Sequence, residues 1–131
     1  MIEKKHNHGI SYMAVSRDGK YVATGDTYRY IYVFNTETKA EVACFPYHTS
    51  QINHLEFNKD GTLLLTSSLD RNVGVADVTN KTKKIINSKS YFDCKLTFIE
   101  PNEKDVKSAI FDEENRVVTA GYDCSIRIWS L

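Results

Sequence analysis

Residues 52–61 read Ile-Asn-His-Leu-Glu-Phe-Asn-Lys-Asp-Gly, and residues 63–67 continue with Leu-Leu-Leu-Thr-Ser. The same pattern stands 42 positions earlier, as Ile-Ser-Tyr-Met-Ala-Val-Ser-Arg-Asp-Gly at 10–19 and Tyr-Val-Ala-Thr-Gly at 21–25. A third copy covers 106–111 and 117–121, and its Thr119 lies 53 positions after Thr66. The chain therefore carries three copies of one unit. The longer second interval predicts an insertion of about a dozen residues before the third copy.

Each unit reads as short apolar strands separated by tight turns. Asp-Gly at 18–19 and at 60–61 favours a hairpin, because glycine adopts the positive φ that such turns need. No segment shows a sustained helical period, and Pro46 and Pro101 both fall between predicted strands. The pattern predicts an all-β protein. A repeat of about 40 to 45 residues favours three four-stranded antiparallel propeller blades over a β-sandwich, which also uses short strands and hairpins.

Three blades are too few to close a ring, since closed propellers use about four to eight. The sequence thus predicts an incomplete propeller, which is either part of a larger one or an assembly with partners, and the first is favoured. Its open blade faces predict self-association. Residues 1–5 are a candidate fourth strand for the third blade, or for a neighbouring blade or copy. The expected divisions are blade 1 at about 6–46, blade 2 at 48–88 with its fourth strand at 83–87, an insertion at 90–104 and blade 3 at 105–131. Within the insertion, 96–99 is either an extra strand or part of a loop that protrudes from one end of the blades, and the loop is favoured. A second interpretation makes 94–100 the first strand of the third blade.

Charge and composition exclude several classes of function. Lys plus Arg and Asp plus Glu number 17 each, so no net charge draws the chain toward nucleic acid or an anionic membrane. The longest aliphatic run, 63–65, is too short to span a bilayer, and no signal-peptide core follows the first residues. The three cysteines, Cys44, Cys94 and Cys124, are widely spaced and odd in number. They indicate a reduced, cytoplasmic setting without disulfides.

Particular residue types recur at matching places in the units. A histidine precedes the first strand of the first and second units, and a threonine lies in the second strand of all three. An aspartate follows that strand in the second and third units, and a tryptophan lies in the third strand of the third unit. These positions resemble the WD40 repeat family over about residues 6–131, in which the four side chains form a hydrogen-bonded relay. Buried polar groups need such partners. The resemblance implies a structural relay of His6, Thr24, His48, Thr66, Asp70, Thr119, Asp123 and Trp129.

No unit keeps all four relay types. Tyr28 stands at the aspartate position of the first unit, with Asp26 two residues earlier. Phe34 and Ala76 replace tryptophan in the first and second units, and Asn102 falls near the histidine position of the third. We therefore expect packing to hold these blades more than the relay does.

Motifs for catalysis are absent from the sequence. It contains no P-loop, dinucleotide-binding, nucleophile-elbow or His-Glu-x-x-His pattern. His6 and His8 have no third ligand in view, so a zinc site is not expected. We expect a protein that is not an enzyme, with no catalytic residues, no metal and no cofactor.

The remaining expectation is a surface that binds other proteins. In the resembled family, partners are bound by the loops before the first strand and after the second strand of each blade, which share one end called here the top face. Tyrosine and arginine in such loops are common interface residues. The expected partner-binding residues are Tyr28, Arg29, His48, Thr49, Arg71 and Tyr122. The predicted function is a non-catalytic protein–protein interaction module.

Four longer stretches carry a narrower resemblance: 23–26, 48–53, 66–70 and 117–129. They resemble the last blades of a family of WD-repeat actin regulators that promote filament disassembly together with cofilin. This resemblance implies actin and cofilin as partners, and the cytoskeleton as a location within the cytoplasm. The alternative is a general WD40 scaffold or adaptor in another complex, such as a ubiquitin ligase or a trafficking assembly.

Overall fold

The computed structural model describes residues 5–86, 89–99, 106–121, 124 and 126–130, which form three antiparallel β-sheets in sequence order. The strands of the first sheet are β1 (Ile10–Val15), β2 (Tyr21–Asp26), β3 (Ile31–Asn35) and β4 (Glu41–Phe45). Each strand pairs with the next along the chain. This sheet is blade 1.

Blades 2 and 3 follow with the same meander. The strands of blade 2 are β5 (Ile52–Phe57), β6 (Leu63–Ser68), β7 (Val73–Ile86) and β8 (Lys89–Ile99). Those of blade 3 are β9 (Val106–Phe111), β10 (Val117–Gly121) and β11 (Ile126–Trp129). The prediction of an all-β protein made of propeller-type blades is confirmed, although blade 3 shows three strands among the described residues. In that part of the chain, no helix has the length and apolar character that crossing a bilayer needs.

The two Asp-Gly turns form as the sequence predicts. Gly19 and Gly61 have φ values of 73° and 70°, which a residue with a Cβ adopts only at a cost. The Gly19 amide donates to the Ser16 carbonyl at 2.9 Å, and the Gly61 amide donates to the Asn58 carbonyl at 3.0 Å. Both turns lie at the end of the blades opposite the top face.

The core lies between the blades, because each sheet is packed face against face on the next. Successive side chains of a strand point to opposite faces, and β6 shows the consequence. Leu64 is buried in the cluster between blades 1 and 2, whereas Leu65 is buried in the cluster between blades 2 and 3. Ile31 and Val33 of β3 belong to the first of these clusters. Blade 2 is therefore apolar on both faces.

One contact between blades 1 and 2 leaves no room for a side chain. A Cβ built on Gly25 would lie 2.6 Å from Cγ2 and 2.7 Å from Cβ of Ile52. The Ser11 hydroxyl donates to the Ile52 carbonyl at 2.7 Å, which ties the two inner strands together. Glycine at position 25 thus sets how closely the two sheets approach.

Residues 89–99 differ from the expected loop. They form β8, which pairs with β7 first from Val73↔Ile99 to Ala76↔Leu96 and then, after a register shift, from Lys81↔Cys94 to Ile86↔Lys89. The fourth strand beside the blade is thus the end of β8. Residues 83–86, which belong to the stretch 83–87 expected as the fourth strand, pair instead with the first part of β8. The alternative that begins blade 3 at 94–100 also differs, because β9 is the strand that pairs with β10. Residues 100–104 lie outside the described residues.

The register shift in β7 begins at Asp77. Its Oδ1 accepts hydrogen bonds from the Thr79 amide at 2.9 Å and hydroxyl at 2.7 Å, as in an ordinary Asx turn. The backbone nevertheless continues in a strand, because the register shift between Ala76 and Lys81 takes up the extra residues. A bulge of this kind redirects a hairpin without ending it.

Both ends of the three-blade array expose apolar side chains. On blade 3, Ile126 is 76% exposed and Ile128 is 62% exposed. On blade 1, Met13 and Val15 are also exposed. Such surfaces suit further packing, as the prediction of an incomplete propeller implies. Residues 1–4, which hold most of the candidate extra strand, lie outside the described residues.

Candidate functional site

The loop before β5 and the turn after β6 meet through a buried histidine. His48 Nδ1 lies 2.9 Å from Asp70 Oδ2, and His48 Nε2 lies 2.9 Å from Thr66 Oγ1. The Asp70 carboxylate also accepts the amides of Thr49 and Asn72, each at 2.9 Å. Burial by itself raises the pKa of Asp70, but His48 and these amides outweigh it and lower the pKa to about 2. The arrangement fixes both loops of blade 2 at the top face.

Blade 1 contains a second arrangement of this kind, with a different carboxylate position. His6 Nε2 lies 2.7 Å from Thr24 Oγ1, and His6 Nδ1 lies 3.0 Å from Asp26 Oδ2. Asp26 is fully buried, and the sequence-based relay did not include it. Burial raises the pKa of Asp26, but the hydrogen bonds from His6 and from the following amides lower it overall. The sequence feature that could have identified Asp26 is its position two residues after Thr24 in β2.

The other oxygen of Asp26 organises the turn that follows. Asp26 Oδ1 accepts the amides of Tyr28 at 3.0 Å, Arg29 at 2.7 Å and Tyr30 at 2.9 Å. Three donors on one oxygen hold the turn in a single shape. Tyr28 and Arg29 therefore leave the top face from a rigid backbone.

Blade 3 shows the threonine–tryptophan part of the relay. The Trp129 indole N–H donates to Thr119 Oγ1 at 3.0 Å, and Thr119 is buried. Asp123 and Tyr122 lie outside the described residues. At the tryptophan positions of the other blades, Phe34 and Ala76 are buried apolar residues, so packing replaces the indole there.

Aromatic and cationic side chains cover the top face of blade 1. Tyr28 is 52% exposed, and the His8 ring stacks on it with centroids 4.8 Å apart. The Arg29 guanidinium carbon lies 5.5 Å from the Tyr28 ring centroid and 5.3 Å from that of Tyr30. These distances are within the range of cation–π attraction.

The top face of blade 2 presents a smaller set. Thr49, Leu69 and Arg71 are exposed. Arg71 has a φ of 73°, an uncommon conformation for a residue with a side chain. His48 is buried, so its imidazole serves the relay and not a contact surface. Of the six expected partner-binding residues, the structure brings Tyr28, Arg29, Thr49 and Arg71 to the top face.

The described residues contain no group of three or more His, Cys, Asp or Glu side chains placed to hold a metal ion. Burial raises the pKa of the Cys44 thiol to about 12, which disfavours the nucleophilic thiolate. At the top face, the imidazoles of His6 and His48 and the carboxylates of Asp26 and Asp70 take part in hydrogen bonds that hold the loops. The arrangement is suited to binding.

Comparison with known sequences agrees with this geometry. The chain matches the profile of the WD domain, G-beta repeat, over residues 2–35, 39–77 and 92–130. These segments cover most of the chain and all three blades, and the chain belongs to the WD40 repeat family. WD40 repeats build protein-interaction modules, and the family is in general a non-catalytic scaffold.

Two relatives and one solved structure illustrate the similarity. The chain is 28% identical over 127 residues to the 66 kDa stress protein of Physarum polycephalum, covering 96% of this chain and 19% of the relative. It is 21% identical over 130 residues to Actin-interacting protein 1 of Drosophila melanogaster, covering 98% and 20%. The structure of U3-55K superposes with a TM-score of 0.73 at 23% identity, covering 98% of this chain and 36% of that one. The chain spans about a fifth of the length of both relatives.

Proposed function

We propose that the three blades bind a partner protein through the top face, with Tyr28, Arg29, Thr49 and Arg71 as contact residues. The observation that carries this proposal is that the turns and loops holding these residues are fixed by two buried histidine–aspartate pairs. Loops that are ordered before binding lose less conformational entropy on binding. Aromatic and arginine side chains on such loops are the types that most often dominate interface energies.

The partner that the similarities favour is actin, bound by a longer protein that acts together with cofilin. Support comes from the resemblance of 23–26, 48–53, 66–70 and 117–129 to actin-regulating WD-repeat proteins. Similarity over nearly the whole chain to a relative named Actin-interacting protein 1 adds to it. A cytoplasmic, cytoskeletal location follows from the same proposal.

Co-sedimentation with filamentous actin, with and without cofilin, tests the actin proposal. We expect the protein to pellet with filaments, and Tyr28→Ala with Arg71→Ala to reduce the pelleted fraction. Lys59→Ala, an exposed cation at the opposite end of blade 2, is the matched control. If the longer protein that contains these blades also stays in the supernatant under both conditions, actin is not the partner. Affinity capture and mass spectrometry would then identify the complex that the scaffold alternative requires.

A further inference from the structure

Arg29 and Arg71 occupy equivalent positions in neighbouring blades. They are 42 residues apart, the same interval that separates Thr24 from Thr66. Each is the third residue after the end of the second strand of its blade, and each lies two residues before the third strand. The repeat thus places two arginines at corresponding positions of the two top-face turns.

The backbone confirms this equivalence. The Asp26 amide donates to the Tyr30 carbonyl at 3.0 Å, and the Ser68 amide donates to the Asn72 carbonyl at 3.3 Å. Each turn is also tied to the loop before its blade. The Thr27 amide donates to the Gly9 carbonyl at 2.8 Å, and the Leu69 amide donates to the Gln51 carbonyl at 3.0 Å. The two turns have the same length and share these two backbone hydrogen bonds, whereas Arg71 has a φ of 73° and Arg29 has no positive φ.

The negative charges of this surface are withdrawn from solvent. The top-face segments of blades 1 and 2, all of them described, are residues 6–9, 26–30, 46–51 and 69–72. Their only carboxylates are Asp26 and Asp70, and the side chains are 0% and 4% exposed in their histidine pairs. His8, Tyr28, Leu69 and Arg71 are exposed there, and Arg29 is half-buried between the rings of Tyr28 and Tyr30. The top face of blades 1 and 2 is therefore positive and partly apolar on a chain with no net charge.

We propose that this top face binds an acidic, extended segment of the partner protein, with two carboxylates engaging Arg29 and Arg71. This inference rests on the proposed function and names the chemistry of the partner. Packed sheets lie about 10 Å apart, and an extended chain advances about 3.3 Å per residue. The two carboxylates are therefore about three residues apart. Guanidinium groups bind carboxylates in a planar, two-point geometry that lysine does not provide.

Tyr28 and Leu69 supply the apolar part of the same surface. Tyr28 is held by the His8 ring on one side and by the Arg29 guanidinium, so its orientation is set before a partner arrives. Leu69 is 48% exposed and precedes Asp70 in the blade 2 turn. An acidic segment with an apolar side chain between its carboxylates matches both features.

The test is fluorescence anisotropy of the full chain with a short labelled peptide whose two glutamates are about three residues apart and have a leucine between them. We expect this peptide to bind and its glutamine counterpart to bind at least about tenfold more weakly. Arg29→Gln and Arg71→Gln should each weaken binding of the acidic peptide about tenfold. Arg17→Gln, which removes an exposed arginine from the opposite end of blade 1, is the matched control and should bind as the unaltered chain does.

Equal binding of the glutamate and glutamine peptides would overturn the inference, as would unchanged binding by Arg29→Gln and Arg71→Gln. Binding of single-stranded nucleic acid in place of the peptide, lost in the same variants, would also overturn it. Thermal melting of each variant separates loss of contact from loss of fold. If actin filaments pellet the protein while the acidic peptide does not bind, this inference fails and the proposed function stands. If the peptide binds as expected but neither this chain nor the longer protein that contains it pellets with filaments, actin is wrong as the partner and the acidic-segment site stands.

Discussion

His6 Nδ1 lies 3.0 Å from Asp26 Oδ2, and this contact performs in blade 1 what His48 and Asp70 perform in blade 2. The carboxylate comes from the last residue of β2 in one case and from the following turn in the other. Both reach the imidazole nitrogen that faces away from the threonine. The imidazole thus keeps the same place in both blades. The carboxylate that orients it comes either from the end of the second strand or from the turn between the second and third strands.

Replacement of Asp26 should destabilise blade 1. Asp26→Ala removes the acceptor of His6 and of three backbone amides, and we expect a loss of roughly 2 to 4 kcal/mol in the free energy of unfolding. Urea unfolding followed by Trp129 fluorescence and by circular dichroism measures it. Asp26→Asn keeps an oxygen for the amides and should lose less. Asp60→Ala, which removes an exposed aspartate from the turn at the opposite end of blade 2, is the control. Equal stabilities of Asp26→Ala and Asp60→Ala would contradict a supporting role for Asp26.

Acid should unfold the chain through the same carboxylates. The folded structure lowers the pKa of Asp70 from 3.8 to about 2, and it also lowers that of Asp26. A carboxyl with a lowered pKa stabilises the fold above its unfolded value and loses this contribution as the pH falls through the folded value. We expect the free energy of unfolding to decrease between about pH 4 and pH 2. Asp70→Asn should be less stable at neutral pH and show a shallower decrease, measured by urea titrations across that range. An unchanged slope in Asp70→Asn would show that other groups control the acid transition.

Local repetition explains why much of the fold was predictable from sequence. The hairpin turns at Gly19 and Gly61 and the register of Thr24, Thr66 and Thr119 depend on residues close together in the chain. Such local patterns predict a turn or a strand without knowledge of contacts between distant residues. The unit order and the all-β class follow directly from them.

The missed features depend on contacts between distant residues. Both 83–87 and 96–99 have compositions that suit a fourth strand, and only pairing with the first part of β7 selects the second. Asp26 was missed for a related reason. Alignment of the units compares equivalent positions, whereas a side chain two residues away can reach the same imidazole. The partner-binding role of the top-face residues remains a prediction, because sequence and geometry alone identify accessible groups and not their ligand.

Gly25→Ala should force blades 1 and 2 apart. The added methyl group would meet Ile52 at 2.6 Å, and neither the β-branched side chain nor the strand behind it can move without disturbing the core between these blades. Overpacking of this kind costs about 1 to 3 kcal/mol. Gly9→Ala is the matched control, since its methyl group would lie an ordinary 3.9 Å from the nearest atom, Thr27 Cγ2. A thermal melt should show a lower midpoint for Gly25→Ala alone, and similar midpoints for both would mean that the inter-blade spacing adapts.

The open face of blade 3 should drive association between copies. Ile126 and Ile128 point to the same side of β11 and are both more than half exposed, and paired apolar residues on a sheet face favour burial against a second surface. We expect the molar mass of the chain, measured by light scattering after gel filtration, to rise with concentration. Ile126→Ser with Ile128→Ser should shift the protein toward the monomer, while Leu69→Ser, which removes an exposed leucine from the top face, should not. A monomeric mass for the unaltered chain at all concentrations would contradict this expectation. If Leu69→Ser lowered the mass and the isoleucine pair did not, the contact would lie at the top face.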